Sequence, residues 1–217
     1  MKKLFIIAFL FCVVSIKAQY TTFEPDAATS ATSQQTKEET KTKEKKNTPP
    51  EMKIEAKYAA GACPEVDGKI EWQTSIKCDG LTAQQIYDRM TAFLVQYCKM
   101  EDKDPNSKIA IVNKETHEIG ARIMEYVTFT DKALVRDRAL LNYTLRINCS
   151  DGNCKVLMKG MSYKYEGRTF PAEEMLLDKN ALNKTKTNFY KGGFRKFRTK
   201  TIDAKDALFS RIAESLR

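Results

Sequence analysis

Five separate stretches of this chain carry the pattern of apolar residues that is typical of β-strands. The clearest of them alternate apolar and polar positions, and a period of two with one polar face predicts a half-buried strand. Between the last two stretches, Ser150-Asp151-Gly152-Asn153 predicts a hairpin turn. The stretches are Ile70 to Cys78, Ile109 to Val112, Ile119 to Phe129, Ala139 to Cys149 and Cys154 to Tyr165.

Apolar residues with helical spacing lie between the first and second of these strands and again after the last strand. Thr82 and Gln85 have the spacing of a capping box and precede an amphipathic helix predicted from Ile86, Met90, Phe93, Leu94 and Tyr97. Pro171 opens a helix that carries Met175, Leu176 and Leu182, and a last helix after Asp203 carries Leu208, Ile212 and Leu216. This order predicts one α+β domain over residues 58–217, in which helices back one face of an antiparallel sheet in two layers.

The N-terminus has the organisation of a secretory signal peptide. A basic start at Lys2 and Lys3 precedes the apolar run from Leu4 to Val14, and Ala18 offers a small residue for cleavage. We therefore expect residues 1–18 to be removed from an exported protein, which is periplasmic or associated with the cell surface. The apolar run is too short for an ordinary membrane-spanning helix.

Residues 19–57 differ in composition from the rest of the chain. They are rich in Thr, Ser, Lys and Glu and carry as many basic as acidic residues. Such a segment has little to bury, so we predict a disordered spacer. The full chain has 37 basic and 28 acidic residues, and loss of the predicted signal peptide leaves 34 basic residues. The remaining excess of positive charge therefore belongs to the domain that follows the spacer.

The cysteines predict one cross-strand disulfide and leave the other pairings open. If the Asp-Gly turn closes the last hairpin, Cys149 and Cys154 face each other on its apolar side. In an oxidising periplasm we expect them to form a disulfide, and the alternative is two buried thiols that behave as small hydrophobic residues. Cys63, Cys78 and Cys98 include one odd thiol, and Cys63 with Cys78 is the preferred pairing among them.

No catalytic constellation, metal-ligand spacing or cofactor motif is recognisable in the sequence. His117 is interpreted as a turn residue, and Glu173 and Glu174 as acids in the first turn of a helix. Glu125 interrupts an apolar strand face, which indicates an ionic partner such as Arg136 or Arg138, or a bulge. We therefore predict a protein that is not an enzyme and that uses no metal or cofactor.

Two basic regions suggest binding. The first is the sheet face opposite the core, where cations alternate with Tyr and Met in a way that suits stacking on an extended anionic or glycan-like ligand. The alternatives are a solvated face or one covered by the C-terminal segment. The residues predicted to act there are Tyr126, Arg146, Lys159, Tyr163 and Tyr165, within a set that also includes Lys69, Gln73, Lys77, Arg122, Met124, Lys155 and Met161.

The second basic region runs from Lys184 to Lys200 without an acidic residue. Such a run attracts phosphates, acidic lipids or acidic polysaccharide, and Lys191, Arg195 and Arg198 are its predicted contact residues. The alternative is a solvated connector. Because an exported protein rarely meets cytoplasmic nucleic acid, nucleic acid is not the favoured ligand, whereas contact with a membrane surface remains open.

Five segments, in this order, resemble a Bacteroidota family of exported proteins: Gly68–Trp72, Ala83–Arg89, Asp137–Tyr143, Tyr163–Gly167 and Phe197–Asp203. That family is built on a domain of unknown function with a TATA-binding-protein-like fold, and the resemblance covers about Val66 to Gly167 together with the last segment. It implies a curved antiparallel sheet backed by helices and supplies no catalytic residues. Nucleic-acid binding by the namesake of the fold is an analogy at the level of fold alone.

Taken with the basic face, these patterns predict an exported, non-catalytic binding module that acts through its open sheet face. Its partner is either an anionic or glycan ligand or another protein of the cell envelope. The alternative prediction is a structural or assembly component of the envelope.

Overall fold

The computed structural model describes residues 54–190 and 192–217, so the predicted signal peptide and nearly all of the predicted spacer lie outside the described residues. The fold begins slightly before the predicted boundary at Tyr58, because Ala56–Tyr58 form a 3-10 turn. The ammonium group of Lys57 lies 2.8 Å from a carboxylate oxygen of Asp203 and ties this turn to the last helix. No helix in the described ranges combines the length and apolar character needed to cross a membrane.

A six-stranded antiparallel sheet forms one layer of the domain. A two-stranded ribbon of β1 (Glu65–Val66) and β2 (Lys69–Ile70) precedes it. In the main sheet β3 pairs with β7, β7 with β6, β6 with β5 and β5 with β4, while β8 continues the outer edge of β7 beyond β3. The strands are β3 (Trp72–Lys77), β4 (Lys108–Asn113), β5 (Glu118–Lys132), β6 (Val135–Ser150), β7 (Asn153–Tyr165) and β8 (Arg168–Pro171).

Helices form the second layer. They are α1 (Ala83–Tyr97), α2 (Glu173–Leu176), α3 (Asp178–Ala181) and α4 (Gly192–Ser215). The predicted capping box is confirmed, because the Thr82 side chain accepts from the Gln85 backbone and the Gln85 side chain accepts from the Thr82 backbone. The helix predicted after Pro171 is instead two single turns, interrupted at the extended residue Leu177. The last helix begins well before Asp203, so much of the basic run is helical rather than a connector.

The core lies between the sheet and the helices on one side only. Ile86, Met90 and Leu94 of α1 are fully buried against strand residues such as Ile123 and Leu145. Every second residue of β6 from Ala139 to Ile147 is buried, and the positions between them are half-buried or exposed. The predicted α+β architecture of an antiparallel sheet backed on one face by helices is therefore confirmed.

Candidate functional site

The helix-free face of the sheet carries three of the predicted binding residues, Tyr126, Arg146 and Lys159. Because side chains alternate along each strand, the buried positions of β6 place Arg138 and Arg146 on this open face. The register brings further basic and amide side chains, from β6 itself and from its neighbouring strands, to the same face. They include Gln73, Arg122, Asn142, Asn148, Lys155 and Lys159.

Hydrogen bonds and stacking hold several of these side chains in place. The Arg122 guanidinium donates from Nε to Asn142 Oδ1 at 3.1 Å, and Asn142 Nδ2 donates to Ser162 Oγ at 3.3 Å. The guanidinium of Arg138 lies 3.8 Å from the centre of the Tyr126 ring. Cations fixed in this way lose less conformational freedom when a ligand binds, so the face is partly preorganised.

A small pocket of about 210 Å³ lies in the open face, lined by Gln73, Arg146, Asn148, Lys155 and Leu157. Arg146 donates from Nε to Glu118 Oε1 at 2.9 Å, which orients its guanidinium. The Lys155 side chain is exposed, and its amine has no hydrogen bond or ion pair within the described residues. The pocket therefore offers one oriented cation, one available cation and two amides, a donor set that suits a carboxylate or sulfate group.

Lys159 lies on this face, and its ammonium group is 3.7 Å from Glu71. The two acidic partners, Glu71 and Glu118, each form an ion pair with one cation. Lys69 belongs to the β1–β2 ribbon instead and lies 3.9 Å from Glu173. The open face therefore keeps an excess of positive charge.

The placement of Tyr163 and Tyr165 on the open face is wrong. Gly160, with a φ of 63°, forms a bulge where the β6–β7 register shifts, and this bulge reverses the side-chain parity of β7. Met161 and Tyr163 are therefore buried on the helix side. The Tyr163 hydroxyl lies 2.6 Å from Thr201 Oγ1 of α4. The side chain is therefore part of the core and is not accessible to a ligand on the open face.

Tyr165 belongs to an aromatic cluster between the sheet and α4. Its ring packs edge to face on Phe197, with centres 5.3 Å apart, and its hydroxyl accepts from Lys196 Nζ at 2.8 Å. The Lys196 ammonium also bonds Asp137 at 2.9 Å and thereby holds the pKa of that carboxyl below its ordinary value. Lys196, a member of the basic run, therefore binds Tyr165 and Asp137 of the same domain.

Arg198 is fully buried and organises the C-terminal part of the fold, so its predicted contact with a ligand is wrong. Its guanidinium donates to the backbone carbonyl oxygens of Tyr58, Ala59 and Leu176 and pairs with Asp178 at 2.7 Å. Burial of a guanidinium is tolerated because each bond satisfies part of its donor set. The basic run thus contains a structural arginine that composition alone does not distinguish.

Arg195 is exposed on α4, with its guanidinium 5.9 Å from the centre of the Phe189 ring. The prediction for Lys191 falls outside the described residues. Lys184 and Lys186 of the same run are exposed on the loop that precedes α4. The run is therefore divided between structural and exposed residues and does not act as one continuous basic surface.

Glu125 has an ionic partner that the sequence did not identify. The ammonium group of Lys103 lies 2.7 Å from Glu125 Oε2, and the Tyr97 hydroxyl donates to the same oxygen at 3.1 Å. Both charged side chains are almost completely buried. Burial raises the pKa of Tyr97 to about 12, with the Glu125 charge adding to the effect. Arg136 pairs with Asp131 instead, so Glu125 is a structural residue.

His117, Glu173 and Glu174 have separate local contacts. His117 lies at a turn with a φ of 51°, and its Nε2 is 3.3 Å from the Gln84 side-chain oxygen. Glu173 is buried and accepts from the Ile70 backbone at 3.1 Å, whereas Glu174 is exposed, so the two carboxyls do not face one site. Within the described ranges no group of three or more candidate ligands could hold a metal ion.

Cys149 and Cys154 are direct partners in the β6–β7 register, as predicted. The Cys149 backbone N–H donates to the His117 carbonyl at 3.0 Å and therefore points toward β5, away from Cys154. Cys149 and Cys154 thus form a non-hydrogen-bonded pair of the antiparallel ladder, the type in which the two Cα atoms lie closer together. That spacing lies within the range that a disulfide bridges. Both residues are thiols here, and a hydrogen bond from Cys154 lowers the pKa of Cys149. The disulfide itself stays a prediction.

The preferred pairing of Cys63 with Cys78 finds no support in the structure. The charged groups that act on Cys63 are Arg198, Asp178 and Lys205, while Cys78 lies near Cys149 and Arg89. The two thiols share none of these neighbours and therefore occupy different parts of the domain. Burial raises the pKa of Cys63 to about 12.

The binding residues predicted from the sequence did not include every residue of the open face. Arg138, Asn142 and Asn148 share the parity of Arg146 along β6, so strict alternation would have placed them on the face. Lys103 was missed as a partner of Glu125 because it lies in an irregular loop, where no periodicity predicts orientation.

Comparisons with known proteins agree with this architecture. A family model described as a domain of unknown function (DUF4468) with TBP-like fold matches residues 72–164. A crystal structure of a DUF4468 family protein from Bacteroides ovatus ATCC 8483 is 35% identical, covers 74% of this chain and 93% of that chain, and has a TM-score of 0.69. A TBP-like protein from Parabacteroides distasonis ATCC 8503 is 16% identical, covers 71% of this chain and 97% of that chain, and has a TM-score of 0.55. No protein of curated function matches the chain.

The sheet, the helices and these matches define an α+β protein with the TBP-like fold. Within that class, the chain belongs to the DUF4468 family. The family and the fold that the resemblance implied are therefore confirmed, and the two related structures described above come from Bacteroides and Parabacteroides.

Proposed function

We propose that this chain is an exported, non-catalytic binding module that holds an extended anionic ligand, such as an acidic polysaccharide, on its open sheet face. One observation carries the proposal, namely the pocket that brings the oriented Arg146 and the available Lys155 together on a face with an excess of positive charge. Leu157 and the Tyr126 ring add apolar surface on the same face, which suits the less polar faces of sugar rings.

Export is part of this proposal and rests on the N-terminal sequence pattern. A protein outside the cytoplasm meets acidic glycans and lipid headgroups far more often than nucleic acid. We therefore favour the polysaccharide as ligand, and binding of nucleic acid or of anionic vesicles in preference to it would contradict the choice. Fractionation of cells that produce the full chain tests export, and an uncleaved protein in the cytoplasm would contradict it.

Isothermal titration of the purified chain with a polyuronate tests the binding face. The variant Arg146→Gln/Lys155→Gln removes both cations of the pocket and should weaken binding by at least about tenfold, because charge-assisted hydrogen bonds are lost. The matched control Lys114→Gln/Lys132→Gln removes the same charge from two exposed turn and strand-end lysines and should bind nearly as well as the parent. Equal losses in both variants would show a general charge effect and refute the assignment of the face.

Salt dependence provides a second readout of the same surface. Binding through released counterions weakens as salt rises, with a slope that reflects the number of cations in contact. We expect a shallower slope for Arg146→Gln/Lys155→Gln than for the control. An unchanged slope would place the ligand elsewhere on the molecule.

A further inference from the structure

A second cavity, of about 740 Å³, lies on the helix side of the domain and is separate from the open face. Its walls come from α2, from α3, from the loop before α4 and from the first turn of α4. All of these elements follow residue 164, where the match to the family model ends. A cavity of this size is in the range that small ligands occupy in proteins.

The loop that forms one wall is built by hydrogen bonds around Asn183. The Asn183 side-chain oxygen accepts from the backbone N–H groups of Thr187 and Asn188, at 2.9 and 3.2 Å. The Tyr190 backbone N–H donates to the Ala181 carbonyl at 2.8 Å and closes the base of the loop. These bonds hold Lys184 and Lys186 on the rim of the cavity.

Positive charge on this rim is available to a ligand. Lys184 and Lys186 are exposed, and neither amine forms a hydrogen bond or ion pair within the described residues. Asp178, which also lines the cavity, is already bound to Arg198 and to the Gly61 backbone N–H. The remaining carboxylate among the lining residues is that of Glu174.

Apolar surface complements the charge. Tyr190 is 51% exposed although it is a large aromatic residue, and Leu182 and Phe194 line the same cavity. An exposed ring beside two cations suits a ligand that has a ring face and a negative group, since the ring stacks while the amines bind the anion.

We propose that this cavity binds a ring-bearing carboxylate of the size of an acidic sugar. Lys184 and Lys186 bind the carboxylate, and Tyr190 stacks on the ring. Glu174 weakens the site by repelling the same anion. The assignment is independent of the open face, because the two sites share no residue.

Titration of the purified full-length chain with glucuronate, followed by calorimetry or by chemical shifts, tests this site. We expect saturable binding of glucuronate, with glucose and acetate each at least about tenfold weaker, because each lacks one of the two required groups. No saturable binding of glucuronate, or equal binding of glucose, would overturn the proposal.

Variants locate the site. Lys184→Gln/Lys186→Gln should weaken glucuronate binding at least about tenfold, and Glu174→Gln should strengthen it a few-fold by removing a like charge. Lys200→Gln, at an exposed position further along α4, is a single-charge control and should leave affinity unchanged. Arg146→Gln/Lys155→Gln should also leave it unchanged, which separates this site from the open face. Loss of glucuronate binding in that open-face variant, with Lys184→Gln/Lys186→Gln unaffected, would overturn the assignment.

Discussion

Replacing Lys103 with methionine should destabilise the domain strongly, because it leaves a buried carboxylate without its cation. The Lys103 and Glu125 side chains are only 2% and 6% exposed, and their charged atoms lie 2.7 Å apart. Removing one partner of such a pair typically costs about 3–5 kcal/mol, because the other charge stays buried and unpaired. For a domain of this size that loss lowers the melting temperature by roughly 6–20 °C.

A double-mutant cycle measured by urea unfolding isolates the interaction. Glu125→Leu leaves the ammonium group with Asp102 and should be destabilising as well. The combined variant Lys103→Met/Glu125→Leu should recover much of the loss, because apolar residues replace the pair without leaving a buried charge. Lys99→Met, at an exposed position close in sequence, is the control and should change stability by less than about 0.5 kcal/mol. The reasoning is refuted if Lys103→Met costs no more than this control.

The same cluster predicts a loss of stability in alkali. Burial by itself lowers the pKa of Lys103, but Glu125, Tyr97 and Asp102 outweigh it and raise the pKa above 10.5. Tyr97 likewise holds its proton to a pKa of about 12, against an ordinary 10.0. Both groups bind protons more tightly in the folded state, so their contribution is complete below pH 10 and is lost as pH rises through the folded pKa values. Unfolding free energies measured between pH 8 and 12 should fall more steeply for the parent chain than for Lys103→Met/Glu125→Leu.

Three further predictions concern other parts of the fold. Arg198→Met should cost about 3–5 kcal/mol in chemical denaturation, because it leaves Asp178 and three backbone carbonyls without their donor; a loss below 1 kcal/mol would contradict its structural role. Gly160→Ala should cost about 1–2 kcal/mol from its positive φ alone, since a Cβ there meets nothing closer than 3.9 Å. Air oxidation should join Cys149 to Cys154 in a non-reduced peptide map, and a free thiol at either position after oxidation would count against the disulfide.

The sequence by itself determined the secondary structure wherever a single periodicity ran without interruption. Apolar and polar residues alternate strictly along β6 from Leu141 to Cys149, and the structure buries the apolar ones. The Asp-Gly turn and the Thr82–Gln85 capping box also formed as predicted, because both depend on residues close together in the chain. Local patterns of this kind were enough to predict the α+β class and the existence of an open face.

Tertiary structure decided which residues share that face and which partners the charged groups take. Alternation predicts orientation only while the register is unbroken, so one bulge at Gly160 was enough to turn Tyr163 from the open face to the core. The partner of Glu125 came from an irregular loop, where no pattern fixes the direction of a side chain. Arg198 is indistinguishable by sequence from an exposed arginine, and its burial depends on carbonyl groups far away in the chain that only the folded structure brings together.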